Sequence, residues 1–363
     1  MTKAAELAKM GEVLTNSQIG GRRNLLYNGA QNIAQRATSA TGVGASSGYH
    51  TVDRWRVFAE GTAGRLTMSQ ESITDLEGFG KATKLACTTA DTSLAANELL
   101  IFSHAFEGQD LQGLQKGFST AKKVTVSFYV KANASAKYVA ELFDADNTRS
   151  IQQTFDVTTS WNRIELTFNA DTTGKLDNDN ALSFYFQIWL HGGSTYTSGT
   201  FTSNTWASNT DANRYAASSV TSIVDSTDRT FFITGLQMEI GSQTTPFEHR
   251  SFGDELALCQ RYYHVGGYAT GRSYSATQAE IYYSFPNKMR AAPTVSLFGA
   301  GNAEDETTGQ AHISGVGNYS LSSLGGAIIV TTGCIISITT SSSMGSGNIV
   351  GLKTNAAQVD AEL

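Results

Sequence analysis

The fold of this chain is decided by one short stretch, KKVTVSFYV at Lys122–Val130. Apolar residues stand at positions 124, 126, 128 and 130, and they alternate with Thr125, Ser127 and Tyr129. Successive side chains of a β-strand point to opposite faces of its sheet, so a period of two is typical of a strand with one buried face. The stretch therefore predicts a half-buried β-strand.

Further runs of the same kind follow along the chain, separated by clusters of Gly, Ser, Asn and Asp. They stand at Tyr138–Phe143, Arg163–Phe168, Leu182–Leu190, Thr230–Ile240, Glu280–Phe285, Thr294–Phe298, Ala327–Thr332 and Ile335–Thr339. Many short strands with turn residues between them are typical of a β-sandwich. A parallel βαβ architecture would need intervening amphipathic helices, and the sequence does not show them. We therefore predict an all-β chain.

Composition agrees with this fold class and indicates more than one domain. Of the 363 residues, 40% are hydrophobic, which is enough to form a core, and only 16% are charged, against roughly 25% in ordinary globular domains. A chain of this length exceeds the size at which one hydrophobic core keeps growing. Cys87, Cys259 and Cys334 are too widely spaced for a zinc site or a disulfide framework, so we expect free thiols made in a reducing cytoplasm.

Charge and hydropathy argue against two classes of partner. The net charge is −6 and no basic run exceeds two residues, whereas nucleic-acid binding needs a concentrated positive patch. The most apolar run, Ala327–Ile338, is too short to span a bilayer. The N-terminus does not resemble a secretory signal. We expect a soluble protein that neither binds nucleic acid nor inserts into a membrane.

Two segments have helical periodicity. The first is residues 2–15, where Leu7, Met10 and Leu14 fall at spacings of three and four. A helix this short is marginal alone, so we expect its apolar seam to pack against copies of itself or a neighbouring protein. A frayed helix lying on its own domain is the alternative. The second segment, Asp254–Tyr263, is predicted to be a linker helix between two β domains.

Three stretches resemble phage tail-fibre and related virion fibre proteins. They are RRNLLYNGAQNIAQR at residues 22–36, YHTVDRW at residues 49–55, and ITGLQMEIGSQTTPFEHRSFGDELALCQRYY at residues 233–263. They are similar to the opening and closing strands of the carbohydrate-binding-module-like jelly roll of such fibres, and to the linker helix that leads into a tip domain. The resemblance implies a virion-anchoring segment at 1–23, a jelly-roll sandwich at 24–250, and a linker helix with a β tip domain at 251–363.

The resemblance also implies partners and a location. We expect a homotrimer in the virion, synthesised in the cytoplasm of the bacterial host, that binds other virion proteins through its N-terminal segment and a host cell-surface glycan or other receptor. No cofactor is expected. Related modules often hold a structural calcium ion, for which Asp53 and Glu239 are weak candidate ligands. A capping or salt-bridge role is the alternative that we favour, because no run of oxygen ligands at loop spacing is visible.

The sequence contains no enzyme motif that we can defend: GxSxG, HExxH, GxxxxGK[ST] and CxxC are all absent. Acidic stretches such as Asp144–Asp146 and Asp171–Asp179 are typical of turns between strands. Glycosidase carboxylates can lie far apart in sequence, which leaves a glycan depolymerase as the least favoured alternative. We expect no catalytic residues.

For glycan binding, the chemistry needed is an aromatic ring that stacks on the apolar face of a sugar, with polar side chains nearby for its hydroxyls. Five rings are candidates: Trp206, Trp189, Tyr185, Tyr196 and Tyr215. Trp206 is the first choice because it stands in a long polar loop, and a ring folded back onto the sandwich is its equal alternative. The leading hypothesis is a tail fibre that attaches to the host cell surface. A capsid-bound fibre or decoration protein with a purely structural role is the main rival.

Overall fold

The computed structural model describes residues 3–4, 23–266, 269–297, 310–313, 317–352 and 357–363. The chain divides into two compact units. The first unit comprises Met1–Ala34 and Thr38–Arg250, and the second comprises Gln35–Ala37 and Ser251–Leu363. Leu7, Met10 and Leu14, on which the predicted N-terminal helix and anchor depend, lie outside the described residues.

The first unit is a sandwich of two antiparallel sheets. Its strands are β1 (Ser39–Val43), β2 (Gly48–Tyr49), β3 (Trp55–Glu60), β4 (Arg65–Ser72), β5 (Lys81–Thr89), β6 (Leu99–Glu107), β7 (Val124–Ala132), β8 (Ala136–Asp144), β9 (Arg149–Val157), β10 (Asn162–Phe168), β11 (Leu182–Gly192), β12 (Ala207–Ser208) and β13 (Thr230–Ile240). A six-stranded sheet has the order β1-β4-β5-β13-β7-β10, and a seven-stranded sheet has the order β12-β9-β8-β11-β6-β3-β2. The predicted all-β sandwich is confirmed.

The stretch that predicted the fold forms β7, which lies between β13 and the edge strand β10 of the six-stranded sheet. Its residues Val126, Phe128 and Val130 have no exposed surface and belong to the main core, while Thr125 on the opposite face donates a hydrogen bond to the carbonyl of Gly241. The seven-stranded sheet faces the same core with aromatic rings. Among them, Trp55 stacks on Phe102 with ring centroids 4.9 Å apart, a geometry that aromatic pairs favour.

The opening segment of the first unit lies against the closing strand β13, but it is not a strand. The Leu25 amide donates to the carbonyl of Met238 at 2.9 Å. The Asn24 side chain accepts from the Met238 amide at 3.1 Å and donates to the Leu236 carbonyl at 3.0 Å. The predicted opening strand is thus replaced by an irregular segment, because Asn28 and Gln31 adopt positive φ angles of 54° and 57°, which an extended chain cannot contain.

Asn28 fixes the path of this segment from a fully buried position. Its Oδ1 accepts from the Ile33 amide at 3.0 Å, and its Nδ2 donates to the carbonyls of Ile33 at 2.8 Å and Asp53 at 3.0 Å. The side chain of one asparagine therefore satisfies three buried backbone groups, which would otherwise each carry a desolvation cost.

The second unit begins with a helix and continues in antiparallel strands. Its elements are the helix Phe252–Gln260 and the strands β14 (Tyr263–Val265), β15 (Ala269–Ser273), β16 (Gln278–Ser284), β17 (Thr294–Leu297), β18 (Gln310–Ile313), β19 (Gly317–Val330), β20 (Gly333–Thr340), β21 (Ile349–Leu352) and β22 (Ala357–Asp360). Six of the strands form a closed sheet in the order β15-β16-β20-β19-β18-β21, and three form the sheet β14-β22-β17. The helix starts two residues earlier than the sequence predicted, because Ser251 caps it by accepting from the Asp254 amide.

Residues 35–37 belong to the second unit, although the sequence assigned them to the sandwich. Arg36 accounts for this placement. Its guanidinium lies 3.1 Å from Asp360 and 3.4 Å from Glu362, and it stacks 3.5 Å over the ring of Tyr263. Combined ion pairing and stacking on an aromatic face is a favoured role of arginine.

Asn28→Ala is expected to lower the free energy of unfolding of the first unit by about 3 kcal/mol, since it leaves buried backbone groups unsatisfied. Urea unfolding followed by tryptophan fluorescence measures this unit alone in the full chain, because all four tryptophans, at 55, 161, 189 and 206, lie in it. Asn178→Ala, at an exposed position, is the control and should stay within about 0.5 kcal/mol of the parent protein. Equal effects of the two substitutions would contradict this role of Asn28.

The stability of the second unit is expected to fall in mild acid. His264 is fully buried between Tyr283 and Phe285, and burial lowers its pKa from 6.5 to about 4. The unfolded chain thus binds a proton at higher pH than the folded chain, so stability is complete above pH 6.5 and is lost as pH falls toward 4. We expect the free energy of unfolding of the second unit to fall by about 2 kcal/mol between about pH 7 and about pH 5.

This loss can be measured by urea-dependent amide hydrogen exchange of β16 and β20, corrected for the intrinsic effect of pH. His264→Phe keeps a ring in the same position and removes the titrating group. This part of the pH dependence should therefore disappear in the variant, and an unchanged slope would contradict the assignment to His264.

Candidate functional site

The seven-stranded sheet has one face in the core and a second face that is only partly covered. Along β11, Phe184, Phe186 and Ile188 point into the core, so Tyr185 and Gln187 lie on the opposite, outer face. The outer face carries both rings and polar groups on a sheet, and it contains the candidate site.

Part of the outer face is covered by the segment between β11 and β13. This segment contains two short helices, α1 (Ser194–Thr197) and α2 (Asp211–Arg214). Its Tyr196 and Tyr215 pack against Trp189 of β11, with centroid distances of 5.2 and 5.8 Å. The three rings are at most 8% exposed and form a small separate core. In contrast to the prediction, these three rings stabilise the covering segment and present no face to a ligand.

Trp206, the first choice from the sequence, is folded back onto the sandwich. Its Nε1 donates to the carbonyl of Asn169 at 2.7 Å, and its ring is tilted 6.2 Å from Phe184. The Lys116 ammonium lies 5.1 Å from the centroid of the Trp206 ring. The ring is half-buried. These contacts agree with the alternative interpretation, in which the Trp206 ring packs on the sandwich.

The covering segment is tied to the sheet by an ion pair between Arg214 and Glu141. Glu141 lies on the outer face of β8 with no exposed surface. Arg214 Nε donates to its Oε1 at 2.9 Å and Arg214 Nη2 to its Oε2 at 2.7 Å. Trp189 Nε1 and Gln152 Nε2 donate to the same carboxylate at 2.7 and 2.9 Å. Both oxygens are thus bound by charged or neutral donors, as a buried carboxylate requires.

Beside the covering segment, the outer face forms a cleft of about 190 Å³. We call it the outer-face cleft. It is lined by Arg56, Phe58, Ile101, Ser103, Phe143, Tyr185, Gln187 and Arg214.

The strand register arranges the lining of the outer-face cleft in rows. Arg56, Ser103 and Gln187 are direct neighbours across β3, β6 and β11, and they form a polar row. Tyr185 and Phe143 are paired on one side of this row, with ring centroids 6.3 Å apart. Phe58 and Ile101 are paired on its other side. The floor of the cleft is therefore polar and its two flanks are apolar.

Ser103 is the most informative residue of this polar row. It is 1% exposed, it lines the cleft, and its Oγ has no hydrogen-bond partner among the described residues. A buried hydroxyl without a partner costs free energy. A ligand hydroxyl or carboxylate in the cleft would supply the missing partner.

Tyr185 is the only one of the five predicted rings that lines the outer-face cleft. Burial raises the pKa of its phenol, and the nearby Arg56, which forms a hydrogen bond with it, opposes that rise. The hydroxyl therefore stays protonated at neutral pH and is available for hydrogen bonding.

Sequence reasoning missed the remaining lining residues. Phe58, Phe143 and Gln187 stand on strands, where an outward ring or amide looks like ordinary alternation. A usable signal was present in SFYFQIWL of β11, whose Tyr185, Gln187 and Trp189 carry polar atoms on the face opposite three buried apolar residues. Arg214 gave no signal, because its partner Glu141 is 73 residues away.

The two candidate calcium ligands are engaged in other contacts. The Glu239 carboxylate accepts from the amide and hydroxyl of Thr245 and lies 3.6 Å from Arg23 Nε. Asp53 is fully buried, and its backbone binds Ile33 and Asn28. Within the described part of the chain, no group of three His, Cys, Asp or Glu side chains is placed to hold a metal ion.

A second depression lies on the second unit and is more open. It has a volume of about 350 Å³ and is lined in part by Tyr274 and Tyr282, which are 55% and 67% exposed. Shallow sites bury little of a ligand, so we do not take it as the candidate site. None of the helices in the described ranges combines the length and the hydropathy needed to cross a lipid bilayer.

The chain matches no family model and no curated protein sequence. Among solved structures it is similar to the enzymatically active domain of tailspike protein 4 of bacteriophage CBA120 (TM-score 0.31, 10% identity, 60% of this chain and 21% of that chain). It is also similar to a CBM4 structure (0.30, 11%, 59% and 97%) and to the family 11 carbohydrate-binding module of Clostridium thermocellum in complex with a β-1,3-1,4-mixed-linked tetrasaccharide (0.28, 10%, 58% and 99%). Likeness at this level carries no argument about what this chain binds.

Arg214→Ala is expected to lower the free energy of unfolding of the first unit by about 3–5 kcal/mol, because it leaves the Glu141 charge buried without a counter-ion. The matched control is Arg229→Ala. Arg229 makes the same two-bond contact, at 2.7 and 2.9 Å, with the exposed Asp225, and surface pairs of this kind contribute about 0–1 kcal/mol. Urea unfolding followed by tryptophan fluorescence measures both. A smaller loss for Arg214→Ala than for Arg229→Ala would contradict the anchoring role.

Proposed function

We propose that this protein binds a glycan in the outer-face cleft and acts, without catalysis, as the attachment subunit of a bacteriophage tail fibre. The observation that carries the glycan-binding part is the cleft itself. It combines aromatic flanks, a polar floor and the Ser103 hydroxyl, which is 1% exposed and has no hydrogen-bond partner within the described part of the chain.

The chemistry of the cleft suits a sugar ring. Tyr185 and Phe143 on one flank and Phe58 on the other offer apolar faces against which the C–H groups of a pyranose pack. Gln187, Ser103 and Arg56 on the floor offer donors and acceptors to its hydroxyls. At about 190 Å³, the cleft is smaller than the 300–1,000 Å³ typical of drug-sized ligands. It therefore suits one sugar residue of a longer chain.

The absence of catalysis is part of the proposal and rests on the state of the acids. Glycoside hydrolysis uses two carboxyl groups about 5–9.5 Å apart on either side of the bond. No Asp or Glu is among the described residues that line the cleft. The acid beneath it, Glu141, is bound by Arg214, Trp189 and Gln152.

The tail-fibre part of the proposal rests on the resemblance of residues 22–36, 49–55 and 233–263 to virion fibre proteins. In this proposal the chain is a homotrimer, residues 1–23 bind other virion proteins, and the outer-face cleft of the sandwich binds the host glycan. Antibody labelling of intact virions separates the tail fibre from its rival. Label on the tail supports attachment, whereas label on the capsid supports the structural decoration protein.

Tyr185→Ala is expected to weaken binding to host surface polysaccharide by about 1–3 kcal/mol, if stacking on a sugar resembles stacking on a base. Binding is measured by titration calorimetry on the full chain and expressed per folded molecule. The same mixtures should release no reducing ends.

Two control variants sharpen this test. Trp206→Ala should lower stability and leave binding unchanged, because its ring packs on the sandwich. Tyr274→Ala, at a 55% exposed position of the second unit, should change neither. Loss of binding in Trp206→Ala with full binding in Tyr185→Ala would move the site away from the outer-face cleft, and release of reducing ends would overturn the non-catalytic proposal.

A further inference from the structure

The side-chain amide of Gln187 has a fixed orientation on the floor of the outer-face cleft. Its Oε1 accepts a hydrogen bond from Arg214 Nη2 at 2.9 Å. A guanidinium has only donors, so the arm of the amide that faces Arg214 must be the oxygen. The other arm carries Nε2 with its two N–H groups. The Gln187 side chain makes no further hydrogen bond to any residue that the structure describes. Nε2 therefore remains as a donor for a ligand.

The orientation of this amide depends on the buried ion pair. Arg214 donates two further hydrogen bonds to Glu141, which has no exposed surface. Moving the guanidinium away would leave that charge buried and unpaired, at a large cost in free energy. Arg214 is thus a positioning residue, because it keeps the oxygen of Gln187 on its own side and Nε2 on the side of the ligand.

Ser103 supplies the second polar group. It is directly opposite Gln187 across β6 and β11, and the Cβ atoms of such pairs are about 4.5–5.5 Å apart. Its side chain is 1% exposed, and its Oγ has no hydrogen-bond partner within the described ranges. A hydroxyl can donate or accept. A ligand group that lies over this pair therefore meets an N–H donor and a hydroxyl oxygen side by side.

The next pair of residues along these strands is apolar. Phe58 and Ile101 are directly opposite each other across β3 and β6, and both line the cleft. Ile101 stands two residues before Ser103 on β6, so the two side chains share one face of the sheet. A group that fits this order of partners has an acceptor, a donor and a small apolar end. A sugar hydroxyl has no apolar end. An acetamido group has a carbonyl and an N–H, as a peptide group does, and it ends in a methyl group.

We infer that the sugar bound in the outer-face cleft carries an acetamido group, whose carbonyl accepts from Gln187 Nε2 and whose N–H donates to Ser103 Oγ. Its methyl group packs against Phe58 and Ile101. The inference rests on the proposed glycan binding and adds the class of sugar. An acetamido sugar satisfies both polar groups and buries a methyl group. It should therefore bind about tenfold more tightly than the sugar with a hydroxyl on the same carbon, equivalent to about 1.4 kcal/mol.

Two pairs of probes that differ only in this group test the inference by titration calorimetry on the full chain. Tri-N-acetylchitotriose is compared with cellotriose, and the methyl glycoside of N-acetylgalactosamine is compared with that of galactose. We expect the acetamido probe to bind more tightly than its hydroxyl counterpart in at least one pair. Because all four probes are uncharged, the preference should change little with salt.

Two variants locate the preference in the cleft. Gln187→Glu keeps the size of the side chain and its contact with Arg214 but removes the N–H donors. The preference for the acetamido probe should disappear in this variant, while the hydroxyl probe binds as before. Ser103→Ala should lose part of the preference without a fall in the free energy of unfolding, because the hydroxyl has no partner to lose among the described residues. If Gln187→Glu unfolds early, Ser103→Ala and the two probe pairs carry the test.

The matched controls lie outside the cleft. Gln278→Glu, at an exposed position of the second unit, and Ser127→Ala, on β7 of the other sheet, should bind all probes as the parent does. Equal affinities within both pairs would overturn the acetamido inference and leave the proposed glycan binding intact, as would binding of host polysaccharide without binding of either acetamido probe. A preference that persists in Gln187→Glu and Ser103→Ala would also overturn it. Binding of neither the probes nor the polysaccharide would count against the proposed function itself.

Discussion

The outer face of the seven-stranded sheet, where we propose that a ligand binds, depends on one buried charge. Glu141 points away from the core, on a sheet face that would otherwise face water, and yet it has no exposed surface. A carboxylate in that position requires a counter-ion and a full set of donors. Arg214 provides the counter-ion, and with it the segment between β11 and β13 is fixed over the sheet. Arg214 also lines the outer-face cleft, which lies beside this segment.

The same ion pair explains why rings on one face of one sheet have different roles. Trp189 lies beneath the covering segment and donates to Glu141, so it belongs to the framework. Tyr185 is two residues earlier on the same strand and lies beyond the edge of the cover, where it lines the cleft. The sheet supplies rigidity to both, because its opposite face is closed by the main core. Sites on such rigid elements hold their geometry better than sites on loops.

The fold class could be predicted from the sequence because strand alternation is a local property. The alternation at residues 124–130 and the β-branched runs that follow it are enough to predict an all-β sandwich. The irregular path of residues 24–33 could not be predicted, since the positive φ angles of Asn28 and Gln31 depend on hydrogen bonds to distant backbone. The site was only partly predictable for a similar reason. Tyr196, Tyr215 and Trp206 stand in a polar segment that looks exposed, and only the tertiary contacts with Trp189 and Phe184 bury their faces.

Whether a sugar binds in the outer-face cleft can be seen in a crystal structure of the protein soaked with an oligosaccharide from the host surface polysaccharide. We expect density for one sugar ring between Tyr185 and Phe58, with an oxygen of the sugar at hydrogen-bond distance from Ser103 Oγ. Density for the sugar on the second unit, with the outer-face cleft left to water, would contradict it.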